Sequence, residues 1–203
     1  MTPNEFRQLT EERADAQLLG PCFRDEIIPY VFEPEPPRWD AFRHEITSQL
    51  PVANADIQVI GSARLGFSMK PHANLKPFNS NSDIDVVIVN ADLFDWLWYA
   101  LLEVAYPTEW MKVNYGGWLS HRKNELYKGW LTPLNITLDA TIFGTKAKPI
   151  LEFNSKWFNA LKQASRHPPR RHENVTGRLY RSWRHADIYH LNSLAELRKT
   201  LRK

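Results

Sequence analysis

A chain of 203 residues has room for one ordinary domain, or one with a small appendage, and for a substantial core, so it need not be a stapled miniprotein. Hydrophobic residues at 43%, aromatics at 12% and charged residues at 24% exclude a largely disordered, collagen-like or coiled-coil chain. The net charge of +3 conceals an asymmetry: residues 164–203 hold ten Lys or Arg against three acids, and residues 1–163 hold sixteen against twenty.

In chain order, periodicity predicts a helix over residues 4–18. A kinked connector follows through Pro29, Pro34, Pro36 and Pro37, which no uninterrupted helix tolerates. Trp39, Phe42, Ile46 and Leu50 fall at spacings of three and four and predict a helix over 38–50. Residues 57–60 read as a short strand, 61–70 as a glycine-bearing turn into a short helix, and 84–89 as a buried strand. Residues 92–104 read as a helix with Asp92 available as cap.

Between 106 and 130 no clean period emerges, and Gly116-Gly117 marks a turn. Over 134–143, Leu134, Ile136, Leu138, Ala140 and Ile142 alternate with Asn135, Thr137, Asp139 and Thr141, the period of a half-buried strand. A helix over 155–164, a proline-broken basic loop over 167–171 and terminal helices over 173–189 and 191–202 complete the reading. The expected class is α+β: a small mixed sheet flanked by helices, with an N-terminal helical segment (1–50), a core (51–153) and a basic C-terminal helical extension (154–203).

The chemistry concentrates in Gly61-Ser62, Gly66 and Asn81-Ser82-Asp83-Ile84-Asp85, which runs into Val86-Val87-Ile88-Val89. Side chains two apart on a strand share a face, so Asp83 and Asp85 project together. Two carboxylates that close repel unless a cation sits between them, and hard oxygen donors suit Mg²⁺ or Mn²⁺. The plainer reading is that they cap and solubilise a strand end. Asp139 supplies a third carboxylate if its strand neighbours the first. Gly61 and Ser62 stand where backbone N–H groups and a hydroxyl can hold triphosphate oxygens.

The order strand, Gly-Ser, helix, Ser-Asp-Ile-Asp with a hydrophobic strand, then a lone strand Asp, resembles the nucleotidyltransferase superfamily. Its members include DNA polymerase beta, poly(A) polymerases, CCA-adding enzymes, bacterial cyclic-oligonucleotide synthases and the minimal nucleotidyltransferases of toxin–antitoxin pairs. The resemblance covers roughly residues 57–143. It implies Asp83 and Asp85 as metal ligands, Asp139 as third ligand and base, Gly61 and Ser62 as triphosphate holders, and Ser82 as support for the metal-binding turn. The implied reaction moves an NMP from an NTP, with ATP the expected donor, to a hydroxyl on an RNA 3′ end, a protein side chain or a second nucleotide. A toxin–antitoxin or phage-defence setting, with a protein partner, fits the same resemblance; the rival reading is a catalytically silent nucleotide- or RNA-binding subunit.

Two features depart from the compact members. Fifteen residues separate Gly66 from Ser82, among them Lys70, His72 and Lys76, which either reach phosphate or belong to a surface loop. The chain after Phe143 is short where many members carry a large helical domain. The basic segment interleaves Tyr180, Arg181, Trp183, Arg184, His185 and Tyr189, a pattern suited to RNA and equally to ordinary packing beneath solvated arginines. Cys22, alone, excludes an internal disulfide and reads as an inert thiol in a reducing compartment. The charged N-terminus offers no secretory core, and 93–106 is too short and too acidic to span a bilayer, so a cytoplasmic protein with no membrane partner is expected.

Overall fold

A computed structural model describes residues 1–105, 116–139, 143–169 and 174–201. It is α+β, with a four-stranded mixed sheet in the order β1-β2-β4-β3. The strands are β1 (Ile57–Ile60), β2 (Ile84–Val89), β3 (Trp130–Leu131) and β4 (Val175–Tyr180). The helices are α1 (Pro3–Glu12), α2 (Asp15–Leu19), α3 (Pro37–Gln49), α4 (Ser62–Leu65), α5 (Ala91–Ala105), α6 (Gly116–Tyr127), α7 (Lys148–Ala164) and α8 (Trp183–Leu201). Among the described residues, no helix is long and apolar enough to cross a membrane.

Period two divides β2 between two environments. Ile84, Val86 and Ile88 join Ile57 and Val59 of β1 and Leu179 of β4 in the main core, beneath α3, α5 and α7. Val87 and Val89 point the other way and pack with Tyr180 and with Ala186 of α8. Both faces are covered there, which is why residues 86–89 are apolar without alternation. Gly177 completes the main-core face, because a Cβ there would stand 3.0 Å from the Trp157 ring and 3.1 Å from Leu161. A separate cluster of Phe6, Leu18, Cys22, Phe23, Phe67, Leu75, Leu194 and Leu197 ties α1 and α2 to α8.

β1 and β2 stand where the sequence places them, and the helices at 38–50 and 92–104 agree with α3 and α5 to within a residue at each end. Asn90 rather than Asp92 caps α5, its Oδ1 accepting the Leu93 N–H at 2.8 Å. The helix expected over 4–18 breaks in two at Arg13 and Ala14, which take extended backbone.

Two expectations are overturned. Residues 134–143 form no strand over their described part: Pro133–Asn135 is a 3₁₀ turn, and the Phe143 N–H donates to the Asp139 carbonyl at 3.0 Å. Residues 140–142 of that expectation lie outside the described residues. Pro133 starts the 3₁₀ turn, and the Asn154 amide takes the Ile136 carbonyl at 2.7 Å, so that group is spent outside any ladder. Burial still alternates, with Ile136 and Leu138 inside. Conversely, the helix expected over 173–189 holds β4, parallel to β2 and antiparallel to β3. Val175, Thr176 and Tyr180 favour extended backbone, and Gly177 weakens a helix. One helix, α8, then runs through the expected break at 190.

Gly129 joins α6 to β3 at φ +72°, and a Cβ there would stand 2.1 Å from the His185 ring. Gly129→Ala is therefore expected to cost about 3 kcal/mol, combining left-handed strain and overpacking. Scanning calorimetry should show Tm lowered by roughly 6–12 °C; an unchanged Tm would refute this account of the turn.

Candidate functional site

Where α8 stops covering the sheet, a cavity of about 630 Å³ opens at the start of β2. Gly61, Ser62, Ser82, Asp83 and Asp85 all line it. Strand pairing explains the convergence. Ile60, the last residue of β1, stands opposite Asp85, so Gly61 turns beside that carboxylate; a Cβ on Gly61 would lie 3.7 Å from Asp85 Oδ2. Space does not forbid a side chain there. The backbone does, because φ +65° with ψ −143° is a glycine conformation.

After Gly61, the N–H groups of Arg64 and Leu65 both donate to the Gly61 carbonyl, and the Gly66 N–H donates to the Ser62 carbonyl. That pattern leaves the N–H groups of Ser62 and Ala63 outside the turn's own bonds. The turn is pinned from below by Arg64, only 2% exposed, which donates to Gln58 Oε1 at 3.2 Å and to the Asp25 carbonyl at 2.6 Å. Burial lowers the Arg64 pKa, and the Asp25 charge opposes that shift. Ahead of β2, the Asn79 N–H donates to Ser82 Oγ at 3.1 Å, and Asn79 accepts from the Ser82 N–H through its carbonyl and from the Asn81 N–H through Oδ1, both at 2.9 Å. Ser82 thus holds the turn that launches Asp83.

On the other side of β2, Thr176 pairs with Asp85, and its hydroxyl donates to Asp85 Oδ1 at 2.8 Å. Asp85 is half-buried between Gly61 and Thr176; Asp83 is exposed at the mouth. The fifteen-residue insert forms a wall. Ser68 N–H donates to the Lys76 carbonyl and Phe78 N–H to the Gly66 carbonyl, both at 2.8 Å, and Leu75 is buried in the second cluster. Lys70 and Lys76 line the cavity; His72 is not among the lining residues.

Asp139 does not line the cavity either: it follows the 3₁₀ turn, exposed, and no group of three or more His, Cys, Asp or Glu converges among the described residues. The cross-strand place beside Asp85 belongs to Thr176, because β4 and not residues 134–139 neighbours β2.

Comparison with protein-family models, with curated proteins and with solved structures finds no match. The site therefore rests on its own geometry.

Tyr189, of the segment in which the sequence interleaves rings and cations, lines the same cavity, together with Arg178, His190 and Ser193. The Arg178 guanidinium lies 4.9 Å from the Trp130 ring centre and 4.8 Å from that of Tyr189. Burial pulls its pKa down, but the hydroxyls of Tyr189 and Tyr180 outweigh this and the net shift is upward. Burial pushes the Tyr180 phenol up to about 12, with Arg178 opposing. The interleaving of rings and cations over 178–190 was the available signal, and strand pairing assigns it to packing around one guanidinium.

Other cations of the basic segment are spent internally. Arg181 pairs with Asp95 at 2.8 Å, Arg198 with Asp15 at 2.7 Å, and Asp187 takes Arg24 at 3.1 Å. Arg24 also stacks 4.4 Å from the Trp183 ring centre.

His190 is buried, stacked on Phe23 at 4.1 Å, and its Nε2 has no hydrogen-bond partner among the described residues. Burial, reinforced by Arg178, lowers its pKa to about 4. The unfolded chain takes up this proton near pH 6.5, the folded one near pH 4, so stability falls as pH drops through that window. His190→Phe is expected to remove about 3 kcal/mol of the loss between pH 7 and pH 4. Urea unfolding at the two pH values measures it, and an equal loss in both proteins would contradict the burial argument.

Proposed function

We propose that the cavity is a site of metal-assisted nucleotidyl transfer, in which an NMP passes from an NTP, ATP by preference, to a hydroxyl. The observation that carries this reading is the placement of Asp85 between Gly61 and Thr176, with Asp83, Ser62 and Ser82 lining the same cavity. The resemblance to the nucleotidyltransferase superfamily supports it, and on this reading the α+β core has that superfamily's fold.

The donor set fits Mg²⁺ or Mn²⁺. Mg²⁺ is commonly held by one or two carboxylates plus substrate phosphates rather than by an all-protein cage, so Asp83 and Asp85 suffice without a third acid. When bound there, the cation neutralises charge on the phosphate oxygens and on the attacking oxygen. The chain's own residues do the rest. Gly61 admits a phosphate close to the main chain, and Ser62 supplies a hydroxyl. Thr176 fixes the orientation of Asp85. Lys70 and Lys76 place positive charge at the rim. The acceptor oxygen bonds to the α-phosphorus, the bond from that phosphorus to the bridging oxygen of the β-phosphate breaks, and pyrophosphate leaves. The hydroxyl proton departs to solvent at the exposed Asp83 end.

Asp83→Asn and Asp85→Asn are each expected to cut incorporation of labelled NMP by at least about 100-fold, from loss of charge directly at the transferring phosphoryl group; undiminished transfer in both would refute the assignment. Thr176→Val frees Asp85 Oδ1 and should weaken Mn²⁺ binding about tenfold, read by electron paramagnetic resonance titration. Unaltered Mn²⁺ affinity would deny Thr176 its positioning role.

A second reading is favoured by one observation: Thr176, not an acid, stands cross-strand from Asp85, as suits a catalytically silent subunit that binds nucleotide or RNA. Such a subunit holds ATP in calorimetry yet releases no pyrophosphate with any acceptor.

A further inference from the structure

β2 has different neighbours on its two sides. Gly61 and Ser62 follow β1 on one side; Thr176 and Arg178 belong to β4 on the other. Asp83 and Asp85 lie between. Arg178 shares the cavity face with Thr176, two residues along the strand and so about 7 Å away at Cα.

The far end of the cavity is a built site. The Arg178 guanidinium sits in the corner that Trp130 and Tyr189 form, their ring centres 5.8 Å apart and their planes meeting at 71°. Packing of this kind fixes a planar fork in advance, so little side-chain freedom is lost when it grips an anion. Among the described residues no carboxylate forms an ion pair with Arg178. Glu125, close enough to feel its charge, is itself paired with Arg122 at 2.8 Å. His190 adds an independent sign: a side chain 4% exposed, lining the same cavity, with Nε2 unpartnered. A cation without an ion-pair partner, a buried imidazole and the hydroxyl of Ser193 make a place for phosphate oxygens.

From the two-sided arrangement we infer that Arg178 holds a phosphate of the acceptor, so that the hydroxyl acceptor is a nucleotide or the end of a nucleic acid and not a protein side chain. The inference rests on the transfer reading, in which the β1 side is occupied by the donor's triphosphate. The β4 side then belongs to the second substrate, and a clamped guanidinium there selects an acceptor that carries phosphate.

The test is calorimetric binding of tetra-adenylate, of adenosine and of ATP, in EDTA and in Mg²⁺, to the wild-type chain and to Arg178→Met, Arg178→Lys and Tyr189→Leu, with circular dichroism confirming each fold. Tetra-adenylate should bind the wild type at least tenfold better than adenosine. Arg178→Met should weaken tetra-adenylate at least tenfold and lower the slope of its salt dependence by about one, while ATP affinity in Mg²⁺ stays within about twofold. Arg178→Lys keeps the charge but not the fork and should lose part of the affinity; Tyr189→Leu, which keeps Arg178 but loosens its clamp, should do likewise.

If Arg178→Met weakens ATP and spares tetra-adenylate, Arg178 serves the donor and the inference is overturned while the transfer reading stands. Equal binding of adenosine and tetra-adenylate to the wild type also overturns it. If tetra-adenylate depends on Arg178 but Mg²⁺–ATP binds Asp83→Asn and Asp85→Asn as it binds the wild type, the phosphate site stands and the transfer reading falls.

Discussion

The parallel pairing of β2 with β4 is the constraint from which the rest follows. It sets Thr176 opposite Asp85 and Arg178 opposite Val87, and thereby fixes which side chains share the cavity. Backbone ladders are rigid rulers: a slip of one residue would turn Thr176 and Arg178 into the main core and Gly177 onto the cavity face. Gly177 bars that slip, since the space under Trp157 and Leu161 has no room for a side chain. A glycine on the apolar face thus secures the polar residues on the other.

The charge asymmetry of the sequence has a use in the fold. An acidic body and a basic terminal segment attract, and the structure shows where the attraction is used: Arg181 on Asp95 and Arg198 on Asp15, while Asp187 pairs in the opposite sense with Arg24. These exposed or half-exposed pairs are individually worth little, about 0–1 kcal/mol. Their larger effect is on orientation, because they seat α8 beside the apolar contacts of Leu194 and Leu197. Arg178 differs from them in having, among the described residues, no carboxylate ion-pair partner of its own.

What the sequence made legible was local. Residues 57–60 and 84–89 are bounded runs of β-branched residues next to turn formers, and both are strands. The Gly61, Ser62, Asp83 and Asp85 constellation depends on adjacent turns joined by one antiparallel pairing, and the cavity gathers all four. The third strand was misplaced because alternation reports burial and not hydrogen bonding. Ile136 and Leu138 are buried as period two demands, yet Asn154 takes a carbonyl there that a sheet would have used. β4 was hidden for the opposite reason. Its residues are flanked by charged stretches that read as helical, and its partner in the sheet lies 91 positions away at Thr176 and Asp85. Asn90 was overlooked as a cap because Asp92 offered a similar oxygen two residues later.

The insert between Gly66 and Ser82 is held by its own hydrogen bonds, by Phe67 and Leu75 in the second cluster, and by Arg7, which donates to Asn74 Oδ1 at 2.8 Å. β4 joins β2 in the sheet only after the 85 residues between Val89 and Val175 have been made. During synthesis the turn at Gly61 and the launch of β2 can form early, whereas the wall contributed by Thr176, Arg178 and α8 arrives last. Until then the inner edge of β2 is bare, a strand edge of the kind that invites pairing with other chains. The nascent protein therefore passes through a stage in which its most apolar strand is half-covered, and closure of that edge and completion of the cavity are one event.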